Sequence, residues 1–232
     1  MEYKFKKKSN FVILVTGMKI EARLAWLLGR RFRAIVREGS EYEFWEKIQE
    51  AIKQGGVGII SYGIAGGLHP LLKPGNIIIG DTVVDKNLTF ETDLKWRNHL
   101  KKIITGSICG KVIGIDQPVT SFSEKNQLYS ECGAIIVDME SHIAARIAKV
   151  HGLPCVILRV VADHAKREVP EAARQALKPN GTIDFRALIH AIAENPKQMP
   201  SVFHLALDFF KAVKSLLRCN RLLGKGFGFF DL

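Results

Sequence analysis

Three acidic side chains stand at or just after the ends of predicted strands, where they could act on a bound ligand. They are Glu21, Glu140 and Asp163. Because the carboxyl ends of strands in an α/β sheet form one crevice, these carboxylates can converge on a single site. A carboxylate at the end of an apolar run is partly desolvated, which raises its pKa and suits it to general-acid catalysis. Each of them, taken singly, could instead cap or stabilise the start of a helix.

A glycine-rich segment is the second candidate feature. The apolar run 57–62 predicts a buried strand, and Gly63, Gly66 and Gly67 after it predict a turn. Glycine has no Cβ, so a ligand can approach the main chain closely there. In an α/β chain this pattern indicates a ligand site at the sheet edge, although a tight turn that merely packs has the same pattern.

The elements that must position these residues alternate between strand and helix. Strands are predicted at 11–16, 34–37, 57–62, 76–80 (with 82–85), 103–109, 111–115, 134–137 and 155–161, and helices at 20–28, 41–54, 92–102, 124–130, 140–150, 170–177, 185–194 and 198–217. We therefore expect a single α/β domain over residues 1–232, a three-layer α/β/α sandwich with a central mixed, twisted sheet. A basic N-terminal tail at 1–10 and an irregular C-terminal tail at 219–232 would flank it.

Composition narrows the class of protein. Of the 232 residues 47% are hydrophobic and 25% charged, an ordinary globular balance. No apolar run approaches the ~20 residues of a membrane span, and no signal peptide is recognisable. The four cysteines are too widely spaced for a metal pattern, so we expect reduced cysteines, no metal site and a cytoplasmic protein.

The formal net charge of +11 has several potential explanations. Nucleic acid, an anionic membrane surface or an acidic substrate could each account for it. The basic residues concentrate at the two ends of the chain, and no nucleic-acid-binding motif accompanies them, so we expect no nucleic-acid partner. Solvated faces and tails are the simplest interpretation.

Four motifs in a fixed order resemble the purine nucleoside phosphorylase/nucleoside hydrolase superfamily, which includes the methylthioadenosine and S-adenosylhomocysteine nucleosidases. The motifs are Gly-Ile-Ala-Gly-Gly at 63–67, Gly-Asn-Ile-Ile-Ile-Gly-Asp at 75–81, Val-Asp-Met-Glu-Ser at 137–141 and Arg-Val-Val-Ala-Asp at 159–163. Within the superfamily the chain is most similar to the hopanoid-associated phosphorylase branch. The cues for the branch are the segments 16–17, 21–23, 163–167 and 198–200.

The resemblance implies an enzyme that cleaves the N-glycosidic bond of a purine nucleoside without a cofactor. The transition state resembles a ribosyl oxocarbenium ion, so the base must leave with a proton. By resemblance Asp163 donates that proton to N7 of the purine, and Glu21 orients or deprotonates an attacking water.

The resemblance also implies the substrate-binding residues. Met139 and Glu140 would pack on the ribose and accept hydrogen bonds from its hydroxyl groups. Phe122 could stack on the base, although a phenylalanine in the core is an alternative interpretation. The backbone of the glycine-rich segment would lie along the ligand at Ala65, Gly66 and Gly67.

The nucleophile stays open between water and inorganic phosphate as a co-substrate. Phosphorylases of the superfamily carry an arginine and a serine in the glycine-rich segment, where this chain has Ser61 and Ile64. A phosphate would lose a charge-assisted clamp, for which Arg23 is a candidate replacement. Glu21 favours water, whereas the resemblance to the hopanoid branch favours phosphate.

The substrate stays open as well. The hopanoid branch implies adenosylhopane, a small nucleoside such as methylthioadenosine is the alternative, and a non-catalytic nucleotide-binding module is a third interpretation. An adenosyl lipid would bring the enzyme to a membrane, where helix 198–217 and Phe227, Phe229 and Phe230 could touch lipid. A helix packed on the sheet with a loose tail is the alternative. Relatives self-associate, so a homo-oligomer is expected.

Overall fold

The computed structural model describes residues 10–27, 31–178 and 183–232. The strands are β1 (Phe11–Thr16), β2 (Phe32–Val36), β3 (Gly56–Gly67), β4 (Ile77–Asp85), β5 (Leu88–Glu91), β6 (Ile108–Gly114), β7 (Ile136–Asp138) and β8 (Cys155–Asp163). The helices are α1 (Lys19–Trp26), α2 (Glu41–Lys53), α3 (Leu94–Ile103), α4 (Phe122–Cys132), α5 (Ser141–His151), α6 (Glu171–Gln175), α7 (Phe185–Glu194) and α8 (Met199–Leu223). The predicted N-terminal tail, except Asn10, and the last residue of the predicted helix 20–28 lie outside the described residues.

All eight strands belong to one mixed sheet with the path β2-β1-β3-β7-β6-β4-β5, and β8 pairs with both β3 and β4. β8 runs parallel to β3 and antiparallel to β4. The pairings therefore close a ring of five strands in which β3, β8, β4, β6 and β7 follow one another. This closure brings the ends of β3, β7 and β8 together at one place.

Helices cover both faces of the sheet, because alternate residues of each strand point to opposite sides. On β1, Ile13 and Val15 pack with α2 and α5 in one hydrophobic core. Their neighbours Val12 and Leu14 pack with α1, α3 and α8 in the other. The expected α/β class and three-layer arrangement around a mixed sheet are confirmed.

The glycine-rich segment differs from the prediction of a turn. Strand β3 continues through Gly63 and ends only at Gly67. Gly66 pairs with Val137 of β7 on one side and with Asp163 of β8 on the other. The glycines permit close approach of neighbouring groups rather than a reversal of the chain, as described below.

A further difference concerns strand β6. Residues 103–109 and 111–115 are predicted as two strands, but a single strand begins at Ile108 and runs through Gly110, while Ile103 ends helix α3. A Cβ at Gly110 would lie 2.5 Å from the side chain of Ile135, so glycine here admits a neighbouring side chain. Gly110 therefore allows close packing within the strand and does not mark a strand boundary.

The C-terminal segment is ordered rather than loose. Helix α8 extends to Leu223, into the part predicted to be irregular. Phe227 is completely buried between Phe32 and Tyr62, and its carbonyl accepts a hydrogen bond from Nε1 of Trp96 at 2.8 Å. The expectation that Phe227 reaches lipid is wrong, because Phe227 is buried. Phe229 and Phe230 are partly buried against the same core, and their contact with lipid stays a prediction.

Candidate active site

A buried arginine on β8 organises the carboxylates at the centre of the molecule. Arg159 is 1% exposed, and its Nη2 lies 3.0 Å from Oε2 of Glu140. Its Nε lies 2.9 Å from Oδ2 of Asp138, an ion pair rather than an aligned hydrogen bond. Nη2 also donates to Oγ of Ser61 at 2.6 Å. Burial opposes the guanidinium charge, but Asp138, Glu140 and Glu21 prevail and raise the pKa of Arg159.

Glu21, on the first turn of α1, is buried against the glycine-rich strand. Its Oε1 accepts a hydrogen bond from the backbone N–H of Ile64 at 2.8 Å, and its Oε2 accepts from the N–H of Met18 at 2.9 Å and from the hydroxyl of Thr16. A Cβ at Gly63 would lie 2.5 Å from Oε1, so only glycine lets the carboxylate lie against the strand. Burial raises the pKa of Glu21, although Arg159 counteracts the rise.

Glu140 and Asp138 have different roles at the start of α5. Oδ1 of Asp138 accepts from the backbone N–H groups of Glu140 and Ser141, at 3.0 and 2.8 Å, so Asp138 caps the helix. The Glu140 side chain makes no capping bond and turns to Arg159 instead. Burial raises the pKa of Glu140 to about 7, with Arg159 lowering it and Asp138 and Glu21 raising it.

Asp163 ends β8 and is paired with a lysine from another element. Lys125 of α4 is fully buried, and its ammonium donates to Oδ2 of Asp163 and to the carbonyls of His164 and Arg167, at 3.2 and 3.1 Å for the carbonyls. Burial raises the pKa of Asp163, while Lys125 and the backbone N–H of Gly67 lower it in part. A buried carboxyl with a raised pKa is a candidate proton donor.

The glycine-rich part of β3 lies between the carboxylates around Arg159 and the carboxylate of Asp163. Asp163 follows Arg159 by four residues on β8, a span of about 13 Å along a strand. A Cβ at Gly66 would lie 3.5 Å from Oδ1 of Asp163, and one at Gly67 only 2.6 Å from the Asp163 carbonyl. Glu21 thus lies against β3 at Gly63 and Ile64, Asp163 lies against the same strand at Gly66 and Gly67, and Arg159 links Glu140 to the Glu21 end.

Met139 and Phe122 are connected to these carboxylates through neighbouring residues. The carbonyl of Met139 accepts a hydrogen bond from Nη1 of Arg37, which holds the residue before Glu140 in place. Phe122 is 44% exposed, which removes the alternative of a core phenylalanine. It precedes Lys125 by three residues on α4, so the two share the side of the helix that lies near Asp163.

Arg23 does not join the site. It is exposed, and it follows Glu21 by two residues on α1, which places it on the other side of the helix. Ser61 and Ile64 stand where the phosphorylases, by resemblance, carry their phosphate-binding residues. Their polar groups already have partners: Oγ of Ser61 accepts from Arg159 and Ser141, and the N–H of Ile64 donates to Glu21.

Sequence reasoning missed Arg159 and Lys125. A charged residue in the apolar run of residues 155–161 was a signal for Arg159, since such a strand is covered on both faces. Lys125 had no such signal, because it lies in an otherwise polar helix.

Two surface cavities lie outside the carboxylate cluster, and neither is lined by Glu21, Glu140 or Asp163. A surface cavity of about 620 Å³ lies between β2 and α2, and none of the carboxylates above lines it. A smaller cavity of about 200 Å³ lies beside Asp163 and is lined by Pro70, His164, Lys166 and Arg167. Within residues 10–27, 31–178 and 183–232, no cluster of His, Cys, Asp and Glu could hold a metal ion.

Comparison with solved structures defines the class of fold. The 5′-methylthioadenosine/S-adenosylhomocysteine nucleosidase of Helicobacter pylori is 16% identical, with a TM-score of 0.64 over 90% of this chain and 96% of that one. The nucleosidase of S. pneumoniae is 15% identical, with a TM-score of 0.61 over 91% and 99%. Futalosine hydrolase of Helicobacter pylori is 17% identical, with a TM-score of 0.58 over 66% and 87%. The fold is thus that of these nucleoside-cleaving proteins.

The family follows from the sequence. The family model of the phosphorylase superfamily matches residues 48–194, so the chain belongs to the phosphorylase superfamily. The match includes the glycine-rich strand, Glu140 and Asp163 and stops short of Glu21. No curated protein sequence matches the chain significantly. The predicted superfamily and the prediction of an enzyme are confirmed, whereas the hopanoid-associated branch stays a prediction.

Proposed function

We propose that the protein hydrolyses the N-glycosidic bond of a purine nucleoside. The observation that carries the proposal is the buried cluster of Glu21, Asp138 and Glu140 around the single guanidinium of Arg159. Ionisation of any two of these three acids gives the cluster a net negative charge against the single cation, although burial, which raises the pKa of Glu21 and Glu140, opposes their ionisation. A ribosyl oxocarbenium ion, which develops positive charge, is stabilised by such a site in the transition state.

Asp163 is the proposed general acid. Its proton passes to N7 of the purine as the bond between the base and C1′ breaks, so the base leaves neutral. A raised pKa favours the protonated form that this step requires. Gly66 lets the carboxyl of Asp163 lie close to β3, since a Cβ there would be 3.5 Å from its Oδ1.

Glu140 and Glu21 act at the ribose end in this proposal. Glu140, oriented by Arg159, accepts a hydrogen bond from a ribose hydroxyl, and Met139 packs on the sugar. Glu21 accepts a proton from the attacking water, whose oxygen forms the new bond to C1′. The products are the free base and the free sugar. Phe122, half exposed on α4, supplies a face on which the base can stack.

Water is favoured over phosphate for two electrostatic reasons. A phosphate dianion would be repelled by the acidic cluster, and the described groups that could bind it are engaged. Besides Arg159, the nearby guanidinium of Arg37 binds Asp116 at 3.2 Å and the carbonyl of Met139. A small nucleoside such as methylthioadenosine and an adenosyl lipid of the adenosylhopane type are both compatible with this chemistry.

The test is release of adenine from methylthioadenosine, S-adenosylhomocysteine and an adenosyl lipid, each with and without phosphate. We expect release in phosphate-free buffer, with free sugar as the second product. Glu21→Gln should lower kcat by about a hundredfold or more, and the matched control Glu38→Gln, at a half-exposed glutamate that pairs with Lys19 on the surface, should retain the rate. Formation of a sugar 1-phosphate would overturn hydrolysis, and failure to cleave any of the three would overturn the assignment.

A further inference from the structure

The first half of α8 is apolar and yet not buried. The helix has 25 residues, and its first buried residue is Asp208. Among the nine residues before it are Met199, Phe203 and Leu207, which are 56%, 59% and 41% exposed, and Phe210 just after it is 66% exposed. Large apolar side chains left in water on one helix face indicate a surface that something covers.

The exposed face has a regular spacing and two chemically different halves. Seven residues form this face: Met199, Phe203, Leu207, Phe210, Lys214, Arg218 and Arg221. The steps between them are four, four, three, four, four and three residues. At 3.6 residues per turn, all seven therefore lie within an arc of about 100° around the helix. The apolar half covers about 16 Å of helix and the basic half about 10 Å.

The acidic residue of this helix does not neutralise the face. Asp208 points inward, where it pairs with Arg167 and, at 2.8 Å, with Lys211. Lys214, Arg218 and Arg221 are exposed, and none of them forms an ion pair within the part of the chain that the structure describes. The face therefore presents apolar groups and uncompensated positive charge.

We propose that this face of α8 docks on an anionic lipid surface. The apolar half would enter the boundary between headgroups and acyl chains, and the basic half would lie against the phosphates, so the helix would rest at a tilt. The net charge of +11 favours approach to an anionic membrane. No helix among the described residues is long and apolar enough to span a bilayer.

A second copy of the chain fits this face less well than anionic lipid does, because its charge is not complementary. Pairing of this face with its own copy brings three cations and no carboxylate from each side. Anionic headgroups supply the missing counter-charge, and acyl chains accept the aromatic and aliphatic groups. The proposal rests on this helix face and is independent of which nucleoside the protein cleaves.

The experiment is flotation of the full chain with vesicles of equimolar phosphatidylcholine and phosphatidylglycerol, and with phosphatidylcholine alone. We expect binding only to the anionic vesicles, weakened by salt. The double variants Phe203→Ser with Phe210→Ser and Lys214→Glu with Arg218→Glu should each lower binding by about tenfold or more. All four side chains are exposed, so the variants are expected to fold.

Matched controls remove the same chemistry from another face. Leu88→Ser with Leu94→Ser replaces two side chains that are 57% and 58% exposed, and Lys101→Glu with Lys102→Glu reverses two exposed charges on α3. Both controls should bind as the unchanged protein does. Equal loss in the controls, equal binding to phosphatidylcholine alone, or no flotation would overturn the proposal. An oligomer in solution that only Phe203→Ser with Phe210→Ser dissociates would assign the face to a second copy instead and also overturn it.

Discussion

The buried ammonium of Lys125 contacts the carboxylate of Asp163 across 38 positions of sequence. The same ammonium also donates to the carbonyls of His164 and Arg167, so its three N–H groups all have acceptors. Helix α4 is thereby joined to the segment that follows β8, and the orientation of Asp163 is fixed from outside its own strand. A lysine in this position both holds the carboxyl and opposes its protonation.

The role of Lys125 can be tested through the pH dependence of the rate. In Lys125→Met the pKa of Asp163 should rise further, because burial remains and the neighbouring cation is gone. If protonated Asp163 is the acid, the alkaline limb of kcat/KM should move to higher pH by about one unit or more. The measurement is the pH–rate profile of the folded protein.

Lys111→Met is the matched control for this variant. Nζ of Lys111 donates to the carbonyl of Cys132 at 2.7 Å at the other end of α4, and it forms no ion pair with a carboxylate in the described residues. Both variants should be less stable than the unchanged protein, but only Lys125→Met should shift the alkaline limb of the kcat/KM profile. An unmoved limb in Lys125→Met would show that the pair is structural.

Replacement of the proposed acid itself should abolish turnover. Asp163→Asn keeps the size of the side chain and its contacts but has no carboxylic proton to give, so kcat should fall by about a hundredfold to ten-thousandfold. Glu131→Gln, at an exposed position on α4, is the control and should be unaffected. Activity is compared with the thermal unfolding curve; a folded Asp163→Asn protein with near-normal turnover would contradict the assignment.

The stability of the protein should depend on Glu140 between weakly acidic and neutral pH. The pKa of Glu140 is about 7 in the folded protein against 4.5 for the free group. Between these values the folded state binds the proton and the unfolded state does not, so this contribution to stability is present at low pH and is lost as pH rises through 7. The contribution is on the order of 3 kcal/mol.

Glu140→Gln should flatten this dependence, since its amide does not titrate. The free energy of unfolding is measured by denaturant titration at pH values between 5 and 8 that are about one unit apart. The loss of stability towards neutral pH should be smaller in Glu140→Gln than in the unchanged protein. Parallel curves for the two proteins would refute the raised pKa.

A methyl group at Gly67 should disturb the site through the backbone. The added Cβ would lie 2.6 Å from the carbonyl oxygen of Asp163, so β3 and β8 must separate where the proposed acid sits. Gly67→Ala should lower kcat and destabilise the protein by about 1–3 kcal/mol. In the control Gly110→Ala the added carbon meets the side chain of Ile135 and none of the proposed site residues, so stability should fall but activity should persist. Equal activity loss in both variants would show that the effect is not local.

The sequence by itself determined the alternation of elements and the candidate acids. Periodicity and strand ends are local properties, and they predicted α7 at its observed bounds and placed Glu21, Glu140 and Asp163 near strand or helix ends. The glycine spacing marked the right strand, although it suggested a turn. An apolar run before a glycine indicates that the strand is buried. It does not show whether the chain turns at the glycine or whether a neighbouring group packs closely against it.

The tertiary structure alone decided which charges meet. Arg159 reaches Ser61 across 98 positions, and Lys125 reaches Asp163 across 38. These contacts depend on how β3, β8 and α4 cross, and no local pattern records a crossing. The same reason explains Phe227: an aromatic residue in a glycine-rich tail is compatible with solvent or core, and only packing against Phe32 and Tyr62 buries it.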